Sequence, residues 1–257
     1  MPGILFDHIA IATERMADAP AVLAGLLGGL PAHGGSSPMY RFGQWRFKGG
    51  GRLEILEPAG ADGFLHRFLR ERGPGIHHVT FRVPSLREAC ARARAQGYDI
   101  IGHDDSDPDW KEAFLHPRQA LGIVVQLAES RWSGDEGGSP RWTPPAAPPN
   151  PPPPVTIVGL RMVAQSRERV RKQWEAILDG RGTEGGADEL SYRWPGSPMR
   201  LTVAIDPSRD EGPLAIEYAS ERPVALPAGR HPVLGAVFAR CPPGGDQRRR
   251  ALPGAPA

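Results

Sequence analysis

The sequence predicts an α+β protein built from repeated βαβββ modules, and three observations predict it. The strand signature FDHIAIA at residues 6–12 recurs in kind as IHHVTFR at 76–82, which sets His78 70 residues after His8. Each copy is followed by a second strand with a polar residue at its middle: Glu54 stands 46 residues after His8, and Gln126 48 residues after His78. A third start of the same theme, VTIVGLRMVA, begins at Val155. Two modules that each offer one imidazole and one oxygen donor can close a pseudo-symmetric cavity in which four side chains meet on one divalent ion.

The elements follow in chain order. In the first module, residues 4–57, the strand at 6–12 leads into a helix that Asp18 can cap. Pro20 stands in its first turn, Val22, Leu23, Leu26 and Leu27 make its apolar stripe, and Gly28 and Gly29 stop it. A short amphipathic piece with Phe64, Leu65, Phe68 and Leu69 bridges to the second module, residues 75–129. There Ser85 and Glu88 form a capping box, and the helix runs to Gly97. Residues 131–154 pass from a Gly/Ser/Asp stretch into a proline run that can form neither helix nor sheet and favours polyproline II. The expected organisation is a two-module metal-binding domain at 1–130, a linker at 131–154, and at 155–257 a degenerate third module with a C-terminal strand and tail. In that third module Ser166 starts a helix whose Val170, Trp174, Ile177 and Leu178 face inward. The segment VLGAVFAR at 233–240 reads as the first strand of a fourth module that then stops.

Composition narrows the function classes. With 40% hydrophobic and 23% charged residues, the chain has the make-up of an ordinary globular protein with one or two cores. A net charge of +2, with arginines spread along the chain, lacks the footprint of a nucleic-acid binder, and the basic tail Arg248-Arg249-Arg250 reads as a solvated end. The first strand carries no basic, long apolar leader and no run of 18 apolar residues occurs, so no membrane partner and a cytoplasmic location are expected. Cys90 and Cys241 have no Cys-x-x-Cys spacing and are expected as free thiols.

Side chains alternate across a strand, so parity assigns them to faces. On the first strand Leu5, Ile9 and Ile11 take the helix side, and Phe6, His8, Ala10 and Ala12 the other. In the second copy His77, Val79, Phe81 and Val83 take the helix side and leave His78, Thr80 and Arg82 opposite. Glu54 shares its face with Arg52 and Leu56, and Gln126 with Val124 and Ala128. The expected metal ligands are therefore His8, Glu54, His78 and Gln126, and His77 is expected to pack on its module's helix. In the third module Leu160 takes the place of His8, with Val158 and Met162 on its face, and Glu217 has no histidine partner. Such an apolar concave face has to be covered by its own loops, by the first domain or in a homodimer.

The segments DHIAIA, GIHHVTFRV and FLHPRQALGIVVQL (114–127) resemble the vicinal oxygen chelate superfamily, the group of glyoxalases, bleomycin-resistance proteins and extradiol dioxygenases, and within it the methylmalonyl-CoA epimerases. The resemblance covers residues 4–129. It implies paired modules in a U-shaped, partly closed mixed sheet around one divalent ion, with ligands at the positions of His8, Glu54, His78 and Gln126. It also implies a small-molecule substrate such as an acyl-CoA thioester. Two departures stand out. The epimerase pattern has an amide where this chain has Glu54 and a carboxylate where it has Gln126. Its acidic base, placed before the first module's oxygen ligand, has no counterpart, because no Asp or Glu lies between Asp18 and Glu54.

A divalent ion (Co, Mn, Ni, Zn, Mg or Fe) held by two imidazoles, a carboxylate and an amide keeps one or two positions for water or substrate. It can stabilise the enolate left when a proton leaves the carbon next to a carbonyl, so a glyoxalase- or epimerase-like isomerase or lyase is expected. Candidate bases are His33, Tyr40 and Lys48 from the first module and Lys111, Glu112 and His116 from the second, and the sequence does not choose among them. An iron(II) dioxygenase is the alternative, using His8, His78 and Glu54 as a two-His-one-carboxylate triad. A further alternative is a metal-free protein that binds a flat ligand against Tyr40, Trp45 or Trp110.

Overall fold

The computed structural model of the protein describes residues 3–131, 142–186 and 188–242. Fourteen strands among the described residues form two mixed sheets, neither of them closed. The first sheet takes β1 (Leu5–Ala12), β2 (Leu30–Ser36), β3 (Tyr40–Arg46) and β4 (Arg52–Pro58) from one module. From the next come β5 (Gly75–Arg82), β6 (Ile100–Asp104), β7 (Trp110–Leu115) and β8 (Val124–Ser130), in the order β2-β3-β4-β1-β5-β8-β7-β6. The central β1 and β5 run antiparallel, and each is flanked by the last strand of its own module in parallel. The two modules are thereby related by a pseudo-two-fold between β1 and β5.

Local chemistry sets the helices. Ser85 Oγ accepts the Glu88 amide at 3.3 Å at the start of α3 (Leu86–Ala95), and Gly97, at φ 80°, turns the chain away after it. The first helix is shorter than expected: α1 spans only Pro20–Leu23, and Asp18 belongs to a preceding 3-10 turn without capping it. The amides of Leu26 and Leu27 both reach Val22 O, so the helix widens into a turn before Gly28. In α2 (Phe64–Arg72) Leu65 and Leu69 bury on Ala10, Ala12 and Leu56, which lays this helix on the β1–β4 surface.

The second sheet repeats the first without counterparts of β7 and β6 at one edge. It holds β9 (Thr156–Ala164), β10 (Arg181–Gly186), β11 (Glu189–Arg193), β12 (Arg200–Ile205), β13 (Gly212–Ala219) and β14 (Phe238–Cys241), in the order β10-β11-β12-β9-β13-β14. Ser166 caps α4 (Arg167–Arg171), which continues as a π-turn and buries Val170, Trp174 and Ile177. The 233–240 segment is not the first strand of a module. Only Phe238–Cys241 is extended, and it lies parallel to β13 in the place that β8 holds beside β5.

The two sheets share one core. Phe6 stacks on Phe81 at 5.1 Å between centroids, and Phe81 meets Trp194 at 4.7 Å and Trp174 at 5.8 Å. Trp194 Nε1 donates to Leu178 O at 2.7 Å, and Ser197 Oγ donates to Phe6 O at 2.6 Å. Leu160 and Met162 are fully buried in this core, so they face the first sheet rather than line an open concavity. Their neighbour Arg161 takes the opposite face, where it pairs with Glu217 and Glu189. The expected apolar concave face is thus corrected to a charged one.

Residues 142–154 carry no helix or strand yet are packed. The Trp142 indole lies where a Cβ on Gly34 or Gly43 would stand, edge-on to Trp45 at 6.1 Å, and the Val155 amide bonds Leu27 O at 2.9 Å. Cys90 and Cys241 are free thiols. Among the described residues no helix is long and apolar enough to cross a membrane. The Gly/Ser/Asp stretch and the Arg248–Arg250 tail lie outside the described residues.

Candidate metal centre

Two β-bulges decide what the concave face of the first sheet presents. The β1–β5 register shifts between Phe6 and His8, which leaves Asp7 as an extra residue, and again where Ile11 faces Ile76 after Ala10 has faced His78, which leaves His77 extra. A bulge adds one residue and offsets the alternation. Phe6 therefore turns into the core, and Asp7 joins His8 on the cavity lining. His77 likewise lines the cavity beside His78, packing on Phe64 and Phe68 of α2 at 5.6 and 4.9 Å rather than on α3. The expectation that parity carries Phe6 to the cleft and His77 to the helix side is overturned for this reason.

His8, Glu54 and His78 meet at the floor of a cavity of about 1940 Å³. They are 1%, 6% and 5% exposed, and one donor atom from each lies within 4.8 Å of the others. His8 Nε2 is 3.5 Å from Glu54 Oε2, and His78 Nε2 is 3.8 Å from Glu54 Oε1. Both Nδ1 atoms are engaged elsewhere: His8 Nδ1 bonds Asp7 Oδ2 at 2.8 Å, and His78 Nδ1 bonds His77 Nδ1 at 3.0 Å. The two Nε2 atoms are thereby aimed at the carboxylate, and that of His78 is buried without a hydrogen-bond partner. Gln126 borders the same cavity through Thr80, whose hydroxyl donates to Gln126 Oε1 at 2.5 Å and lies 2.9 Å from His8 Nε2. Gln44 Nε2 donates to Glu54 Oε2 at 2.8 Å from the strand opposite.

The charges follow from this placement. Burial opposes a charge on His8, but Glu54 and Asp7 outweigh it and raise its pKa to about 9. Burial also opposes the charge of Asp7, which His8, Arg52 and Arg82 nevertheless hold below the usual carboxylate range. His78 is driven well below the usual histidine value by burial, then by His77 and His8, so it is neutral. His77 falls to about 4, chiefly through burial. A buried carboxylate between two imidazoles whose outer nitrogens are already bonded is a donor set that fits a divalent cation, with Asp7 orienting His8 from behind.

The candidate bases separate. Lys48 pairs with Glu221 at 3.6 Å and Lys111 with Glu129 at 2.8 Å, and neither lines the cavity. His33, Tyr40, Glu112 and His116 do. Glu112 Oε2 accepts from Gln126 Nε2 at 2.7 Å and from Trp110 Nε1 at 2.9 Å, and Tyr40 is pushed up to about 12 by burial, then by Glu112 and Glu54. Trp45 is buried in the core, whereas Trp110 stands at the cavity mouth. Asp7 and Gln44 went unrecognised in the sequence: a bulge hides the first, and only the cross-strand register reveals the second.

Comparison with known proteins gives these features a context. The sequence pattern of the Glyoxalase/Bleomycin resistance protein/Dioxygenase superfamily matches residues 7–114. The uncharacterized protein YqjC of Bacillus subtilis (strain 168) is 31% identical over 133 residues, 51% of this chain and 94% of the relative. The mitochondrial methylmalonyl-CoA epimerase of Bos taurus is 25% identical over 134 residues, 48% of this chain and 73% of the relative. A mutant of 4-hydroxymandelate synthase from Streptomyces coelicolor, 15% identical, superposes with a TM-score of 0.58 over 86% of this chain and 72% of its own, and so shares the fold across both sheets.

Proposed function

The chain belongs to the glyoxalase/bleomycin resistance protein/dioxygenase superfamily, and from that premise we propose that it is a metal-dependent, epimerase-like isomerase that moves a proton on the carbon next to a substrate carbonyl. The buried His8–Glu54–His78 cluster, with its unpartnered His78 Nε2, is the observation that carries this reading. Nε2 of both histidines, the Glu54 carboxylate and Gln126 Oε1 would hold the ion. When bound there, a divalent ion supplies Lewis acidity that favours negative charge on a carbonyl oxygen.

The remaining work falls to the chain's own groups. Asp7 fixes the tautomer and orientation of His8, and Gln44 holds the orientation of the Glu54 carboxylate. Glu112 is the carboxylate best placed to take the proton, because it lines the cavity and is tied to Gln126. The substrate C–H bond breaks heterolytically, the proton passes to Glu112 and the electron pair stays on the substrate as the enolate. Return of a proton to either face completes the exchange. Tyr40, kept neutral by burial, offers a hydroxyl donor in the same cavity. The second module would thus supply the acidic residue that the first lacks.

The test is solvent exchange. Protein loaded with Co²⁺, Mn²⁺ or Ni²⁺ should replace the α-proton of a 2-methyl-branched acyl-CoA with deuterium, and His78→Ala should abolish both metal retention and exchange. One observation favours a second reading: Gln126 Oε1 already accepts from Thr80, which leaves His8, Glu54 and His78 as the triad of an iron(II) dioxygenase. Oxygen uptake on a catechol, with no exchange under any metal, would select that reading.

A further inference from the structure

One side of the cavity is a continuous file of rings. Between centroids, His33 and Phe42 stand 5.4 Å apart, Phe42 and Tyr40 6.4 Å, Tyr40 and Phe64 5.7 Å, Phe64 and His77 5.6 Å, and His77 and His78 5.3 Å. The file runs from β2 and β3 across α2 and ends at the candidate metal ligands, with His8 5.9 Å beyond His78. Tyr40, Phe42 and Phe64 are seated on the buried cluster of Ala10, Leu56 and Leu65, which backs them, while they line the cavity in front. Of the four large hydrophobics exposed among the described residues, three line the cavity: Met39 on the first-module side, and Ile101 and Trp110 on the second.

Pseudo-symmetry sharpens the contrast with the other side. Gln44 lies opposite Glu54 and Phe42 opposite Leu56, whereas Phe114 lies opposite Gln126 and Glu112 opposite Ala128. At the matched position, then, the first module places Phe42 and the second Glu112. The file of rings thus lies on the first-module side of the His8–Glu54–His78 cluster, and Glu112, with Ile101, Trp110 and Phe114 on the same lining, on the second-module side. Rings held tilted or edge to face by their neighbours present fixed apolar surface, and flat rings pack on such surface better than small or puckered aliphatic groups do.

Resting on the epimerase-like reading above, we propose that the natural substrate carries a planar aromatic ring near the reacting carbon, seated against Tyr40, Phe42 and Phe64. A methyl or ethyl branch would leave this file of rings facing water.

The experiment compares three thioesters of similar α-proton acidity on the metal-loaded full chain: 2-methyl-3-phenylpropionyl-CoA, its cyclohexyl counterpart and 2-methylbutyryl-CoA. Deuterium exchange should show kcat/KM about tenfold or more higher for the phenyl compound than for either aliphatic one. Phe64→Leu, which keeps the apolar volume under α2, should erase that preference without changing metal content. Equal or better exchange of 2-methylbutyryl-CoA, or a phenyl preference unchanged by both Phe64→Leu and Phe42→Leu, would overturn the inference. If no thioester exchanges, the epimerase-like reading fails by itself, and calorimetry of 3-phenylpropionate against butyrate then decides: tighter phenyl binding lost in Phe64→Leu upholds the aromatic seat, and equal affinity removes it.

Discussion

The two sheets use one strand order to bury one carboxylate each, and they neutralise it differently. In the first, Glu54 is 6% exposed and lies among two imidazoles and an amide. In the second, Glu217 is 2% exposed and accepts from Arg161 Nε at 3.0 Å and Arg200 Nη2 at 3.2 Å. A guanidinium keeps its charge at any working pH, so Glu217 stays ion-paired, and among the described residues it joins no cluster of metal-ligating side chains. An imidazole can surrender its proton, so the partners of Glu54 can become ligands. One architecture therefore yields a candidate metal centre in one half and a fixed ion-pair cluster in the other, and the side chains decide which.

The largest expected effect tests whether the second sheet is a structural partner. Truncation after Ser130 would expose Phe6 and Phe81, which pack on Trp174 and Trp194, and the fragment should lose its soluble, monodisperse state on size exclusion. A soluble fragment with an unchanged melting temperature would separate the two halves instead. Next comes the pair of carboxylates. Without added metal, Glu217→Ala removes the buried carboxylate that two guanidiniums share, although Arg161 keeps Glu189, and should cost about 3 kcal/mol in denaturant melts, whereas Glu54→Ala should cost about 1 kcal/mol, because His8 can shed its proton. Equal costs would erase the distinction between the two sites.

A pH response comparable in size should come from His8. His8 has a folded pKa of about 9, above its ordinary value of 6.5. Its stabilisation is therefore complete below about pH 6.5 and lost as pH rises through 9, on the order of 2–3 kcal/mol in the metal-free protein. Urea midpoints between pH 7.5 and pH 10, compared with those of His8→Gln, isolate it, because His33, His77, His78 and His231, whose pKa values are lowered chiefly by burial, cost stability only as pH falls toward 6.5. The smallest effect is Asp7→Asn, which keeps the shape but removes the charge behind His8. Metal affinity should fall about tenfold, read by chelator competition, with no change in the second sheet's stability.

Of the fold, repetition and caps made the most legible. The strands around His8 and His78, the Ser85 and Ser166 caps and the inward stripe of Val170, Trp174 and Ile177 all follow from local rules that the structure respects. Those rules act between residues close in sequence, so one chain suffices to apply them. Parity failed where the β1–β5 register slips. A bulge depends on what the partner strand offers across the sheet, and nothing in FDHIAIA or IHHVTFR taken singly announces an extra residue.

The sequence by itself therefore determined the module type, the residue kinds at the candidate centre and the lack of an acidic residue between Asp18 and Glu54. Tertiary structure alone decided that Asp7 and His77 turn toward the cavity and that Glu112 from β7 stands beside Gln126. It alone decided that Arg161, not Leu160, takes the face opposite the shared core. Each of those outcomes depends on pairing and packing between segments far apart in the chain, which fix a side chain's direction only once both partners are in place.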